Sequence, residues 1–318
     1  MNRIYQASAL LLLFFMAGSS QAADRFPVLS QDEAWKRLAP LTKGKQVNLP
    51  TWARILARSL PRTTAGMLVL DQTHRRKNPV GIKLAAKMRW TIAEVNQCDS
   101  SRKRAEFDLK TAGVTEKDFK SPAEKAALTL ARKLSVKGHS VTDEEIAFLV
   151  KHYGAAKVVA MAHLIAHGNF QDRILLAIGD HISQGESLAP ISTPFNLRAR
   201  VKINVPRRKK WERQEVEIPK DKLKKEYAAV QKKLDEQQKR KLRIPLPDWE
   251  KARKLFPPNQ RKRPPSKIVW TTFSAGYQPI LTMTWFNCYG QFRRESKLDR
   301  VYENSLFWVI THSNECFY

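Results

Sequence analysis

Cysteine is scarce in this chain, acids are outnumbered, and long apolar runs are missing. Its 318 residues hold three cysteines, Cys98, Cys288 and Cys316. That is too few for a disulfide scaffold, and the odd number leaves at least one thiol unpaired. No stretch reaches the ~18 consecutive apolar residues that a membrane span needs, so no stable span is expected. No phosphate-binding glycine loop, Gly-x-Ser-x-Gly elbow or carboxylate-rich metal cluster occurs, and neither a cofactor nor a metal is expected. Turn signals of the Asn-Gly type are also missing, which argues against hairpins. Asp and Glu number 30 against 57 Lys and Arg, a net charge of +27.

What is present begins with a leader. Arg3 supplies a positive start, an apolar run follows from Ala9 to Gly18, and Ser20, Gln21 and Ala22 form a small-x-small cleavage pattern. Residues 1–22 read as a signal peptide cleaved near Ala22. The mature protein is then exported, periplasmic or secreted, where an oxidising environment applies.

The chain also repeats itself. Shifted by 218 residues, Trp52–Cys98 falls on Trp270–Cys316 without a gap. Ten positions are identical: Trp52/Trp270, Ala57/Ala275, Pro61/Pro279, Thr64/Thr282, Arg75/Arg293, Arg76/Arg294, Trp90/Trp308, Ile92/Ile310, Asn96/Asn314 and Cys98/Cys316. Self-similarity at a fixed offset marks duplicated units. The expected organisation is a signal at 1–22, a full unit over 23–190, a connector over 191–267 and a partial second unit over 268–318. Three accounts fit: a fragment of a longer protein, a truncated copy that lost activity, or a scaffold kept for binding. The repeated tryptophans read as core anchors. The paired arginines suggest a shared structural task, such as charge at a helix C-terminus.

Unit 1 reads as helix after helix. Ser30 with Glu33, and Thr142 with Glu145, make capping boxes. Ser121 and Pro122 start another helix, and Pro50, Pro61 and Pro79 stand where helices would begin. Gly154 stops a helix, and two more follow near 155–167 and 169–179. The connector differs in kind. Residues 198–267 hold 25 Lys and Arg against 9 Asp and Glu, an excess of 16 positive charges. Val201, Ile203 and Val205 alternate as a short extended piece, and Lys220–Lys241 reads as a charged helix. Arg207, Arg208, Lys209, Lys210, Lys224, Lys225, Arg261, Lys262 and Arg263 are the candidate contacts for a polyanion. The alternative is a solvated, charged insert with no fixed partner.

Cys98 follows an apolar helix ending at Val95 and precedes a helix that Asp99, Ser100 and Ser101 would start. At a helix N-terminus the dipole favours a thiolate, so Cys98 is a candidate reactive thiol. The other reading is a small buried residue at a turn. His163 and His167, spaced i, i+4, could grip zinc, but the apolar residues around them favour structural histidines.

The pattern Trp90-x-Ile92-x-x-x-Asn96-x-Cys98, followed by a helix, resembles the redox-motif region of the AhpD-like alkylhydroperoxidases, in the carboxymuconolactone decarboxylase superfamily. The stretches 123–134, 141–150 and 169–174 are similar to that family's later helices, and 307–318 resembles the lead-in to its Cys-x-x-Cys motif. The resemblance implies an all-α helical bundle, one full repeat plus a partial one, that oligomerises. It also implies peroxide reduction by a dithiol, served by a dithiol reductant, with a histidine four residues after the second cysteine. In unit 1 the first cysteine matches Cys98, the second falls on Ser101 and the histidine position on Ala105. Serine cannot resolve a sulfenate, so unit 1 lacks the dithiol mechanism. In unit 2 the first cysteine matches Cys316, with His312 placed to tune it, and the second falls past Tyr318. Cys98 and Cys316 are therefore the candidate redox thiols.

Overall fold

The computed structural model describes residues 26–118, 121–183, 185–199, 202–203, 219–238, 241–256, 258, 261–262, 269–296 and 298–313. The leader, most of Val201–Val205, Cys316, Arg207, Arg208, Lys209, Lys210 and Arg263 lie outside these residues. The described chain is all-α. In order it forms α1 (Gln31–Leu38), α2 (Thr51–Ala57), α3 (Pro61–Arg76), α4 (Ile82–Val95), α5 (Asp99–Thr111), α6 (Pro122–Val136), α7 (Asp143–Tyr153) and α8 (Ala155–Ala177). Then come α9 (Lys220–Gln238), the single turn α10 (Trp249–Ala252), α11 (Val269–Tyr277), α12 (Pro279–Ser296) and α13 (Arg300–Ser313).

Local chemistry explains most of the starts. Ser30 and Thr142 accept from the N–H groups of Glu33 and Glu145, whose carboxylates reach back to complete both capping boxes. Ser121 caps α6 just ahead of Pro122. Pro79 differs from expectation: α4 begins only at Ile82, after Gly81 turns the chain at φ 88. The two helices expected over 155–179 are one, α8, unbroken through Gly168. There glycine is a packing residue. A Cβ at position 168 would stand 3.1 Å from Ile92 Cδ1, so its absence lets α4 cross α8 closely.

Two apolar cores hold the bundle. One joins α4, α6, α7 and α8 around Met88, Ile92, Leu130, Leu149, Met161 and Leu164. The other joins α1, α2 and α3 around Trp35, Leu38, Trp52, Leu68 and Leu70. The connector contributes Ile191, Leu197 and Ile244 to these cores.

The 218-residue offset reappears in several helix boundaries. Adding 218 to the bounds of α4 gives those of α13 at both ends, and the starts of α2 and α3 become those of α11 and α12. The second set is not a separate body: Leu281 sits in the first core and Cys288 in the second. Helix α12 lies along its counterpart α3, and Cys288 presses on Gly66, where a Cβ would come within 2.9 Å of the Cys288 Cα. The tryptophans divide. Trp52 is buried as expected, whereas Trp270 and Trp308 are 45% and 49% exposed, so the second pair are not core anchors.

Candidate functional site

Cys98 stands at the junction of α4 and α5, and its position follows from how α4 ends. Gln97 takes the left-handed conformation, φ 53. The Gln97 N–H donates to the Glu94 carbonyl (3.2 Å) and the Cys98 N–H to the Ala93 carbonyl (2.9 Å). This is the Schellman arrangement that closes a helix, here with glutamine where glycine is usual. The turn places Cys98 as the N-cap residue of α5, as the sequence suggests.

Its environment works against a thiolate. Cys98 is 2% exposed. Burial pushes its thiol pKa up, and the nearby Asp172 carboxylate pushes it further; hydrogen bonds from Ser101 and Ser100 oppose this and lose. The expected depression by the helix start is thus outweighed. Ser101 and Ala105, at the positions of the resolving cysteine and the histidine, are both buried in α5. Cys288 is also buried, beside Glu295, and its thiol is pushed up to about 12. Both Cys98 and Cys288 are free. His312 belongs to α13.

Around Cys98 runs a polar chain. Asn96 Nδ2 donates to Asp172 Oδ2 and to Asn169 Oδ1, each at 2.9 Å, and Asn169 donates on to Ser135 Oγ at 3.0 Å. Burial raises the Asp172 pKa, partly offset by hydrogen bonds from Ser101 and Asn96. Arg104, fully buried, reaches Asp180 at 3.1 Å and Glu186 at 2.7 Å. Glu186 also accepts from the Thr51 hydroxyl, which ties the loop after α8 to α2.

A second buried network joins α3, α4 and α5. Arg75 grips Asp108 with two donors, Nε at 2.7 Å and Nη2 at 3.0 Å, while Nη1 reaches Asp71 at 3.1 Å. Arg89 Nη1 donates to the same Asp108 at 2.7 Å. Two guanidiniums thus meet two carboxylates out of water. Burial alone would raise the Asp71 pKa, but Arg75 and Arg89 outweigh it and hold the carboxyl below its ordinary range. Arg75 does lie in the last turn of α3, but its task is this bridge. Its repeat counterpart Arg293 instead lies over the Tyr289 ring at 5.9 Å, where Tyr289 stands at the position of Asp71.

The histidines sit against this network. The His74 and His167 rings stack at 4.5 Å. Burial lowers the pKa of His163 and of His167 to about 4, and that of His74 well below its ordinary value, where His167 repels it further. Both ring nitrogens of His167 and Nε2 of His163 lack partners among the described residues. No group of three metal-ligating side chains occurs among those residues either.

Of the candidate polyanion contacts, Lys224 and Lys225 are exposed on α9, and Arg261 and Lys262 are exposed after α10. No described helix is long and apolar enough to cross a membrane. The buried acids Asp71, Asp108, Asp172, Asp180 and Glu186 escape sequence reasoning, because their partners lie dozens of residues away. The Asp71–Arg75 spacing of four was the one local signal. Comparison with protein-family models, with curated proteins and with solved structures finds no match.

Proposed function

We propose that this chain is an exported, AhpD-like helical protein in which the peroxide-reducing dithiol is lost from unit 1, and that it acts by binding polyanions through its basic surface. The observation that supports this most is where the charge lies. Inside, Asp71 and Asp108 face Arg75 and Arg89, Asp180 and Glu186 face Arg104, and Lys87 faces Glu124, so acids and bases nearly cancel. Among the described residues the excess of positive charge therefore lies on exposed side chains such as Lys224, Lys225, Arg261 and Lys262. A field of that sign attracts anionic polymers and binds them in a salt-dependent way.

The test is chromatography of the mature protein on heparin. Retention at low salt is expected, with elution by a few hundred millimolar salt as counterions compete for the basic groups. Lys224→Glu with Lys225→Glu should elute earlier, and Cys98→Ser at the wild-type position. Flow-through at low salt contradicts the reading.

A second reading keeps thiol chemistry at Cys98, favoured by the Ser101 backbone and side-chain hydrogen bonds to the sulfur. It requires peroxide consumption with a dithiol reductant that Cys98→Ser abolishes. Cys316, with His312 nearby in sequence, is the remaining thiol for such chemistry.

A further inference from the structure

Helix α13 is the part of the structure whose exposure is hardest to reconcile with water. Seven of its 14 residues are large hydrophobic side chains that stand exposed. Phe307 is 66% exposed, Ile310 56%, Val301 49% and Leu306 41%. The counterpart helix α4 shows what such a face does elsewhere in this protein. Leu84, Met88 and Ile92 of α4 are buried between α6 and α8, and their repeat positions are Tyr302, Leu306 and Ile310. Helix α13 thus keeps, and extends, an apolar face that its counterpart buries. A contiguous exposed patch of this kind marks a contact surface.

The rest of the molecule narrows what covers it. A second copy would bring +27 against +27, which opposes self-association. An anionic lipid surface satisfies both features: it attracts the basic chain, and its acyl boundary accepts the apolar face. The helix has the build for lying in that interface. At 14 residues it is about 21 Å long, too short to span. The seven apolar side chains spread over most of the helix circumference, with Glu303 and Ser305 among them and Asn304 and Thr311 on one line. Arg300 and Glu303 are its only formal charges, so little charge is dehydrated on insertion. An aromatic residue, Trp308, is 49% exposed, as suits the headgroup boundary.

We infer that α13 is an interfacial helix that docks the protein on anionic lipid, with the basic surface supplying the attraction. This deepens the polyanion reading and rests on it. The test uses the whole mature protein and co-sedimentation with two vesicle types, phosphatidylcholine alone and phosphatidylcholine with a quarter phosphatidylglycerol. Binding to the anionic vesicles is expected, with weakening at high salt and little binding to the neutral ones. Phe307→Ser with Ile310→Ser should lower that binding more than about tenfold. The helix content by circular dichroism should hold, since these side chains fill no core. Trp308 fluorescence should be quenched by brominated acyl chains, a signal that surface adsorption by charge alone does not produce.

Retention on heparin without vesicle binding overturns the lipid inference and leaves the polyanion reading standing. Failure on both overturns both. Vesicle binding that the double variant leaves unchanged shows that α13 is not the anchor and overturns the inference. So does a stable dimer that the same variant dissociates in the absence of vesicle binding.

Discussion

Asp108→Asn is expected to lower the free energy of unfolding by about 3–5 kcal/mol. The reason is the charge balance of the buried network. Arg75 and Arg89 face Asp71 and Asp108, and all four side chains are at most 7% exposed. Asparagine keeps the shape of the site but removes one of two negative charges, so two guanidiniums share Asp71 alone. An unpaired buried charge costs far more than a surface pair contributes. Against a typical total of about 5–15 kcal/mol, the variant would be marginal at 25 °C. Arg75→Lys should fall between the two, because an ammonium cannot hold Asp108 with a fork of two donors. Urea denaturation measures both. A loss under about 1 kcal/mol for Asp108→Asn would mean that the charges are hydrated rather than enclosed.

The second large effect is acid sensitivity. The folded protein holds His163 and His167 neutral down to about pH 4, and His74 is likewise held neutral by burial. In the unfolded chain a histidine titrates near 6.5. Between these values the unfolded state binds more protons, so stability falls as the pH falls. For His163 and His167 the contribution is complete above 6.5 and is lost by about 4, on the order of 3 kcal/mol per ring. The stacked pair sharpens the loss, because a proton on one ring repels a proton on the other. Asp172 and Asp180, raised by burial, act in the opposite direction and offset part of it. Asp71, held low, adds a further loss at lower pH. Urea midpoints measured from pH 7.5 to 4.5 should fall steeply below 6.5. A flat profile over that range would show that these rings are hydrated in the folded state.

What the sequence conveyed is what local chemistry decides. The caps at Ser30, Ser121 and Thr142 and the stop at Gly154 depend on neighbours within four residues, and all four stand in the structure. The 218-residue offset was legible from ten identical residues, and the starts of three helix pairs keep it, although α11 and α12 are each two residues longer than α2 and α3. The split expected between 155–167 and 169–179 failed for a tertiary reason: Gly168 continues α8, and Ile92 of another helix needs its missing Cβ. The charge network was hidden in the same way. Asp108 is 33 residues from Arg75, and a linear sequence does not show that both lie inside. At Cys98 the helix-start rule located the residue correctly and gave the wrong sign for its pKa. Burial and Asp172, both products of packing, outweigh the dipole.

The most direct test of this account is the pH profile of Cys98 alkylation in the native protein, read by mass spectrometry after timed exposure to iodoacetamide. A buried, protonated thiol predicts negligible labelling at pH 7 and a rise only above the ordinary thiol range, whereas in the unfolded protein labelling should follow the ordinary thiol titration at about 8.5. Rapid native labelling at neutral pH, with a midpoint well below 8, would contradict it and restore Cys98 as a redox nucleophile.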